Sequence, residues 1–126
     1  MFINGGIPTI YVSDMNRAVE FYTARLGLAL KNRAGDEWAE IDAGNGMIIG
    51  LHITSNDVFQ EMTKSNMTMG LHVDDHPIEE IKVELEKRGI DSFGDIHEDG
   101  PVKTCHFKDP DGNVLYLCEN VSQTAE

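Results

Sequence analysis

The sequence has few basic residues, and that shortage excludes two classes of partner. Lys and Arg together number 10 against 22 Asp and Glu in 126 residues, which gives a formal net charge of -12 at pH 7. A chain with this charge repels the phosphates of nucleic acids and of anionic lipids. We therefore expect no nucleic-acid partner, and we interpret the acidity as a solvated surface.

Long apolar runs are also missing. No stretch approaches the length that a membrane-spanning helix needs. The first residues, MFINGGIPTIYV, show neither a basic leader nor a small-residue cleavage site. The sequence thus predicts a cytoplasmic protein without a membrane partner.

Cysteine is scarce as well, since the chain has only Cys105 and Cys118. Two cysteines are too few for a disulfide framework, and neither stands in the paired spacing of a zinc site. Strand alternation places the two thiols on opposite faces of one sheet, so we predict no bond between them.

The residue pattern in the first half of the chain predicts a unit of four strands and one helix. PTIYVSD is a β-branched and aromatic strand, and Asp14 caps a helix whose apolar residues recur at helical spacing until Gly27. A short strand over 28–32 follows, and EWAEID and MIIGLHIT then flank a glycine-rich turn at 44–46. The predicted order is β, α, β, β, β.

The second half of the chain repeats that order. MTMGLHVDD is a strand, PIEEIKVELEKRG a helix with Pro77 near its first position, and IDSFGDI a short strand. VKTCHFK and NVLYLCE flank the turn DPDG as a further hairpin. The segments VSD and VDD match between the halves, as do the helix-ending Gly27 and Gly89, so the chain contains an internal duplication.

The duplication predicts a single α+β domain over residues 1–126. We expect module one to span about 3–54, a linker 55–66, and module two about 67–120. The two βαβββ modules are expected to form cupped mixed sheets around a cavity. The polar segment TSNDVFQEMTKSN is interpreted as a plain connector, or alternatively as a cover for the cavity mouth.

Alternation along the strands separates a core face from a second face. In MIIGLHI the alternate apolar residues are predicted to face the core, which leaves Gly50 and His52 on the other side. The same rule gives the second face aromatic residues, histidines, threonines and glycines, a composition typical of a ligand pocket. Gly50 and Gly70 are expected to leave room for the ligand. Its candidate binding residues are Tyr11, Trp38, His52, Thr68, His72, His106 and Tyr116. A dimer seam or a partly wet sheet face is the alternative.

The remaining polar residues receive lesser roles. Glu40 is the only carboxylate that alternation places on the second face, where we expect a solvated rim position. Glu119 is predicted to point away from that face at the end of its strand. His76 and His97 are assigned to cap or loop positions and carry no functional hypothesis.

Two motifs in the chain carry a family resemblance. YVSDMNRAVEFYTARLGL and FKDPDGNVLYL resemble segments of the vicinal-oxygen-chelate superfamily, from about Ile3 to Glu119. That family includes glyoxalase I, extradiol dioxygenases, and bleomycin- and fosfomycin-resistance proteins. The resemblance implies the glyoxalase/bleomycin-resistance fold, a homodimer, and a ligand or metal held in the cup.

The resemblance also implies where a family metal would bind. The matching positions are Ile7, Gly50, Thr68 and Tyr116. Two of these offer no side-chain donor, a threonine is a weak ligand, and a neutral tyrosine is rarely chosen. The family metal site is therefore predicted to be absent, which counts against glyoxalase chemistry.

The leading functional prediction is metal-independent binding of a small aromatic or amphipathic molecule in the cavity. Tyr11, Trp38 and Tyr116 would stack on it, and His52, His106 and Thr68 would orient it by hydrogen bonds. One alternative is a lyase, isomerase or dioxygenase-like enzyme with a divalent metal at His52, His72 and His106. Another is a protein-interaction module.

Overall fold

The computed structural model describes residues 2, 4–54 and 68–120, which form two compact units. Each unit contains one four-stranded sheet. The predicted linker, 55–66, lies outside the described residues. In the part of the chain that is described, no helix is long and apolar enough to cross a membrane.

The first unit follows the predicted order of elements. Its strands are β1 (Thr9–Val12), β2 (Ala29–Ala34), β3 (Trp38–Gly44) and β4 (Met47–Ile53), with helix α1 (Met15–Glu20) between the first two. The sheet order is β1-β4-β3-β2. Strand β1 is parallel to β4, and the other neighbours are antiparallel.

The second unit has the same arrangement. Helix α2 (Ile78–Lys87) follows β5 (Met69–His72), and the other strands are β6 (Ile96–Asp99), β7 (Val102–Lys108) and β8 (Val114–Asn120). The order is β5-β8-β7-β6, with β5 parallel to β8. The predicted α+β fold of two βαβββ modules is confirmed.

The first helical segment consists of α1 and a π-helical turn over Phe21–Arg25, and together they span the predicted helix between Asp14 and Gly27. The Asp14 side chain accepts a hydrogen bond from the Arg17 backbone N–H at 3.0 Å, which caps α1. Beyond Glu20 the helix widens into a π-helical turn, because the Leu26 N–H bonds to the Phe21 carbonyl five residues back. Gly27 then adopts a φ of 89°, a left-handed conformation that ends the helix at little cost for glycine.

The second helix is capped from a distant strand. Pro77 precedes the helix and has no capping side chain, yet the Ile78 N–H donates to Glu119 Oε1 on β8 at 3.0 Å. Glu119 is 5% exposed, so this carboxylate is held among core residues. A negative charge at a helix N-terminus is also favoured by the helix dipole. Glu119 therefore points toward the helix, as alternation predicts, and ties β8 to α2.

The core contains the alternate apolar residues of both sheets. In the first sheet Ala39 opposes Leu51 and Ile41 opposes Ile49, all fully buried. In the second sheet the equivalent buried set is Cys105, Phe107, Leu115 and Leu117. The predicted division into a core face and a second face is confirmed for these strands.

Both predicted hairpin turns form. Asn45 and Gly46 have φ values of 55° and 82°, the geometry of a type I′ turn between β3 and β4. In the other hairpin the buried Asp109 Oδ1 accepts from the backbone N–H groups of Asp111 and Asn113 at 2.9 and 2.8 Å. The carboxylate thus accepts hydrogen bonds from backbone N–H groups within the turn, and these bonds hold the DPDG turn in its conformation.

The prediction of a strand over IDSFGDI is wrong, since β6 begins only at Ile96. The Ser92 hydroxyl accepts from the Lys108 N–H at 2.8 Å and donates to the Lys108 carbonyl at 3.0 Å. One side chain thus satisfies both backbone groups that a paired strand would have used. The later start puts His97 on β6, paired with Thr104, rather than in a loop.

Removal of the Glu119 carboxylate should destabilise the protein, because it leaves the buried Ile78 N–H without its partner. We expect Glu119→Ala to cost about 1–2 kcal/mol of unfolding free energy, measured by urea denaturation. Glu119→Gln retains an acceptor oxygen and should cost less. Glu86→Ala, an exposed change on the same helix, is the control. Equal stability of Glu119→Ala and this control would contradict the capping role.

Candidate functional site

Three aromatic side chains stand in one row across the first sheet. Tyr11 on β1 and Trp38 on β3 both pair with His52 on β4, so the three side chains share the second face. The His52 ring centroid lies 5.8 Å from that of Tyr11 and 6.1 Å from that of Trp38, with steep interplanar angles of 64° and 68°. These are edge-to-face contacts, which fix the ring orientations relative to one another.

The hydrogen bond of His52 defines its tautomer. Nδ1 faces the backbone carbonyl of Ile53, and a carbonyl can only accept, so Nδ1 carries the proton. In the neutral ring Nε2 is then an acceptor. Because the side chain is exposed, this nitrogen can accept a hydrogen bond from a ligand.

The neighbouring row contains Glu40 and Gly50, which pair across β3 and β4. The Trp38 indole N–H donates to Glu40 Oε2 at 3.0 Å. Glu40 is half-buried, so it is not the solvated rim residue expected from the sequence. We call Tyr11, Trp38, Glu40, Gly50 and His52 the aromatic face of the first sheet.

Gly50 does not leave room for a ligand, contrary to the prediction. A Cβ at this position would lie 2.4 Å from Trp38 Cη2 and 3.0 Å from Cζ2. The six-membered part of the indole therefore occupies the space above the glycine. The absence of a side chain at Gly50 serves the packing of Trp38 against the sheet.

The second sheet repeats this device with different residues. A Cβ on Gly70 would lie 2.4 Å from Tyr116 Cζ and 2.5 Å from its hydroxyl oxygen, so the tyrosine ring fills that space. His106 pairs with Tyr116, and their ring centroids are 5.2 Å apart at 35°. The prediction that Gly70 leaves room for a ligand is therefore wrong as well.

The next row of the second sheet consists of His72, Cys118, Thr104 and His97 on four successive strands. His72 and His97 are exposed at the two ends, and the residues between them are half-buried. The sequence interpretation missed His97 because it placed the strand too early. Because His97 pairs with Thr104 across β6 and β7, a correct start for β6 would have placed His97 on the same face as Thr104.

Thr68, the remaining predicted site residue, lies just before β5 and is exposed. Its hydroxyl donates to the Val114 carbonyl at 2.6 Å. This bond joins the start of β5 to β8, so the hydroxyl proton is already committed to the protein. The oxygen can still accept from a ligand.

The positions that the family resemblance implies for a metal do not fit one. Ile7 is apolar and 45% exposed, and the space above Gly50 is filled by an indole. The Thr68 hydroxyl is bonded to a carbonyl, and the Tyr116 ring packs on Gly70. Across residues 2, 4–54 and 68–120, no group of three or more His, Cys, Asp or Glu side chains could hold a metal ion. The alternative of a divalent metal at His52, His72 and His106 stays a prediction.

The two thiols are free and differ in environment. Cys105 is fully buried, its Sγ donates to the Gly94 carbonyl at 3.3 Å, and burial raises its pKa. A raised pKa keeps the thiol protonated and unreactive near neutral pH. Cys118 is half-buried on the opposite face of the sheet.

This difference predicts the reactivity of the native protein toward a thiol reagent such as a disulfide dye. One thiol per chain should react before unfolding, because Cys118 is reachable and Cys105 is not. Cys118→Ser should abolish the native reaction and leave one thiol that reacts only in denaturant. Rapid native labelling of the Cys118→Ser variant would show that the face assignment of β7 is wrong.

Comparison with known proteins identifies the architecture. A family model described as the Glyoxalase/Bleomycin resistance protein/Dioxygenase superfamily matches residues 6–117. A protein of that description from Alicyclobacillus acidocaldarius has 19% identity and a TM-score of 0.73, covering 96% of this chain and 94% of its own. No curated protein matches the sequence.

Two further solved structures share the fold. Lactoylglutathione lyase from Agrobacterium tumefaciens has 17% identity and a TM-score of 0.70, with 93% of this chain and 95% of that chain covered. The bleomycin-binding protein from Streptomyces verticillus, solved with copper(II)-bleomycin, has 15% identity and a TM-score of 0.69, with 93% and 96% covered. At these identities the likeness is one of fold alone.

The position of Trp38 above Gly50 can be tested with a double-mutant cycle. Gly50→Ala should cost about 1–3 kcal/mol of unfolding free energy, since the new methyl group must displace the indole. It should also shift the fluorescence of Trp38, the single tryptophan. In a Trp38→Ala background the same change should cost much less. An equal cost in both backgrounds would contradict the packing described.

Proposed function

The chain belongs to the glyoxalase/bleomycin resistance protein/dioxygenase superfamily, and we propose that it binds a small aromatic or amphipathic molecule without a metal. The observation that carries the proposal is the row of Tyr11, His52 and Trp38 on the first sheet, beside a half-buried Glu40. We propose this aromatic face as the principal contact surface for the ligand.

The composition of this face supports binding rather than plain solvation. Tyr11 and Trp38 are half-buried, so part of each ring remains open to contact. Aromatic rings supply large apolar contact area with few rotatable bonds, which makes them effective ligand contacts. Their edge contacts with His52 hold them in place before a ligand arrives, and this lowers the entropy cost of binding.

Each sheet carries polar groups that would orient a ligand bound on its own second face. On the first sheet these are His52 Nε2 and the Glu40 carboxylate. The second sheet offers its own aromatic and polar residues, Thr68, His72, His106 and Tyr116. A few convergent polar groups on an aromatic wall are what small-molecule sites use to select orientation.

The donor chemistry supports a role without a metal. A catalytic divalent ion needs three or more side-chain nitrogen, oxygen or sulfur donors, and the family positions Ile7 and Gly50 provide none. A fold relative, the bleomycin-binding protein, is a small-molecule binder by its own description. We propose binding by this chain on the same architecture, and a homodimer as its assembly.

The test is a thermal-shift screen of small aromatic compounds against the chelator-treated protein, with metal content measured by elemental analysis. We expect compounds that raise the melting temperature with no bound metal ion. Trp38→Ala should weaken binding of a hit about tenfold or more, equal to about 1.4 kcal/mol.

Val83→Ala, which removes an exposed apolar side chain from α2, is the matched control and should leave binding unchanged. A hit whose affinity is insensitive to Trp38→Ala would contradict the assigned surface. One tightly bound divalent ion per chain, lost on mutation of the histidines, would contradict metal-independent binding and favour the enzyme.

A further inference from the structure

We propose that the aromatic face of the first sheet selects organic cations, with Glu40 as the residue that determines this specificity. The ligand class is a protonated amine or quaternary ammonium group attached to an apolar or aromatic body. The inference rests on the proposed function, because it names the kind of molecule that the same face would take.

The first observation is how Glu40 is held. Its Oε2 accepts from the indole N–H of Trp38 at 3.0 Å, and the side chain is half-buried on a face of aromatic rings. Within residues 2, 4–54 and 68–120, no Lys, Arg or His side chain forms an ion pair with it. On the neighbouring strand β2, Asn32 pairs with Glu40. Arg33 pairs with Ala39 and is bonded to Asp36, Asn16 and the Gly35 carbonyl. Lys31, the other cation of β2, forms no ion pair with Glu40.

A half-buried carboxylate with no cationic partner among the described residues is an incomplete interaction. Partial removal from water weakens its solvation, and one hydrogen bond from a neutral indole offsets only part of that loss. An approaching cation would supply the missing charge. Glu40 Oε1 is the oxygen that the indole does not use. It would attract a quaternary ammonium group by charge, and it would also accept a hydrogen bond from a protonated amine.

The second observation is the set of rings beside that carboxylate. A cation over the face of an indole or phenol is attracted by the ring quadrupole, and tryptophan is the strongest such partner. Donation of the Trp38 N–H to a carboxylate makes the indole a better electron donor, which strengthens this attraction. In the neutral His52 ring, Nε2 is a further acceptor on this row.

Charge therefore decides between ligands of the same shape. A neutral aromatic molecule gains contact with Tyr11 and Trp38 alone, a cationic one gains Glu40 as well, and an anionic one is repelled. The chain's net charge of -12 adds a long-range attraction for cations that salt will screen. The expected order of affinity is cation, then neutral, then anion.

The experiment uses three probes built on one benzyl or phenyl ring: benzyltrimethylammonium, benzyl alcohol and benzoate. Trp38 is the only tryptophan, so its fluorescence in the full chain reports on this face directly. We expect saturable changes with benzyltrimethylammonium, at least tenfold weaker binding of benzyl alcohol, and no binding of benzoate.

Glu40→Gln is the decisive variant, because it keeps the shape and the acceptor for the indole N–H while removing the charge. It should weaken binding of the cationic probe about tenfold and leave the affinity for benzyl alcohol unchanged. Glu37→Gln is the matched control, since it removes the same charge from an exposed residue just before β3. It should change the affinity for neither probe.

The outcomes separate this inference from the proposed function. If wild-type protein binds benzyl alcohol as tightly as the cation, or if Glu37→Gln weakens the cation as much as Glu40→Gln does, cation selection by Glu40 is overturned while ligand binding stands. If no probe alters Trp38 fluorescence and the compound screen yields no Trp38-dependent hit, the binding function itself fails.

Discussion

The close approach of the Trp38 indole to the backbone at Gly50 is the constraint on which the candidate site depends. A side chain at that position would push the ring away from the sheet, because even a Cβ would overlap its atoms. With the ring held down, its N–H reaches Glu40 on the same strand and its edge meets His52 on the next. One missing side chain thereby sets the positions of three others.

In the second sheet an aromatic ring also covers a glycine, but the ring belongs to a different strand position. Tyr116 comes from the central strand β8 and covers Gly70 on the edge strand β5, whereas Trp38 comes from β3 and covers Gly50 on the central strand β4. Both modules thus place an aromatic ring over a glycine of a neighbouring strand, but at different strand positions in the two sheets. The two faces consequently differ: a carboxylate accompanies the tryptophan, and a histidine accompanies the tyrosine.

Helix capping diverged between the modules in a comparable way. Asp14 caps α1 from the adjacent residue, so its contribution is local and legible in the sequence. Glu119 caps α2 from a strand 41 positions away in the chain. Pro77 before α2 has no capping side chain, and the Glu119 carboxylate near the end of β8 supplies the acceptor.

The features that could be predicted from the sequence are those that neighbouring residues determine. Strand alternation, the ends of α1 and both hairpin turns follow from neighbouring residues, and all of them form as predicted. The start of β6 depends on Ser92 bonding to Lys108, which adjacent residues do not reveal. The same applies to the two glycines, whose space is claimed by rings from other strands, and to the capping role of Glu119. Period-two patterns assign faces, but only tertiary contacts decide what fills them.

The chemistry of the aromatic face is more specific than the fold that carries it. One architecture can carry many functions, so the family alone does not determine what is bound. In this chain a position that the resemblance associates with a metal ligand is Gly50, and an indole occupies the space above it. The carboxylate closest to that indole, Glu40, is bonded to its N–H. At Gly50 this face therefore presents an indole with a carboxylate bonded to its N–H, and no side-chain donor for a metal ion.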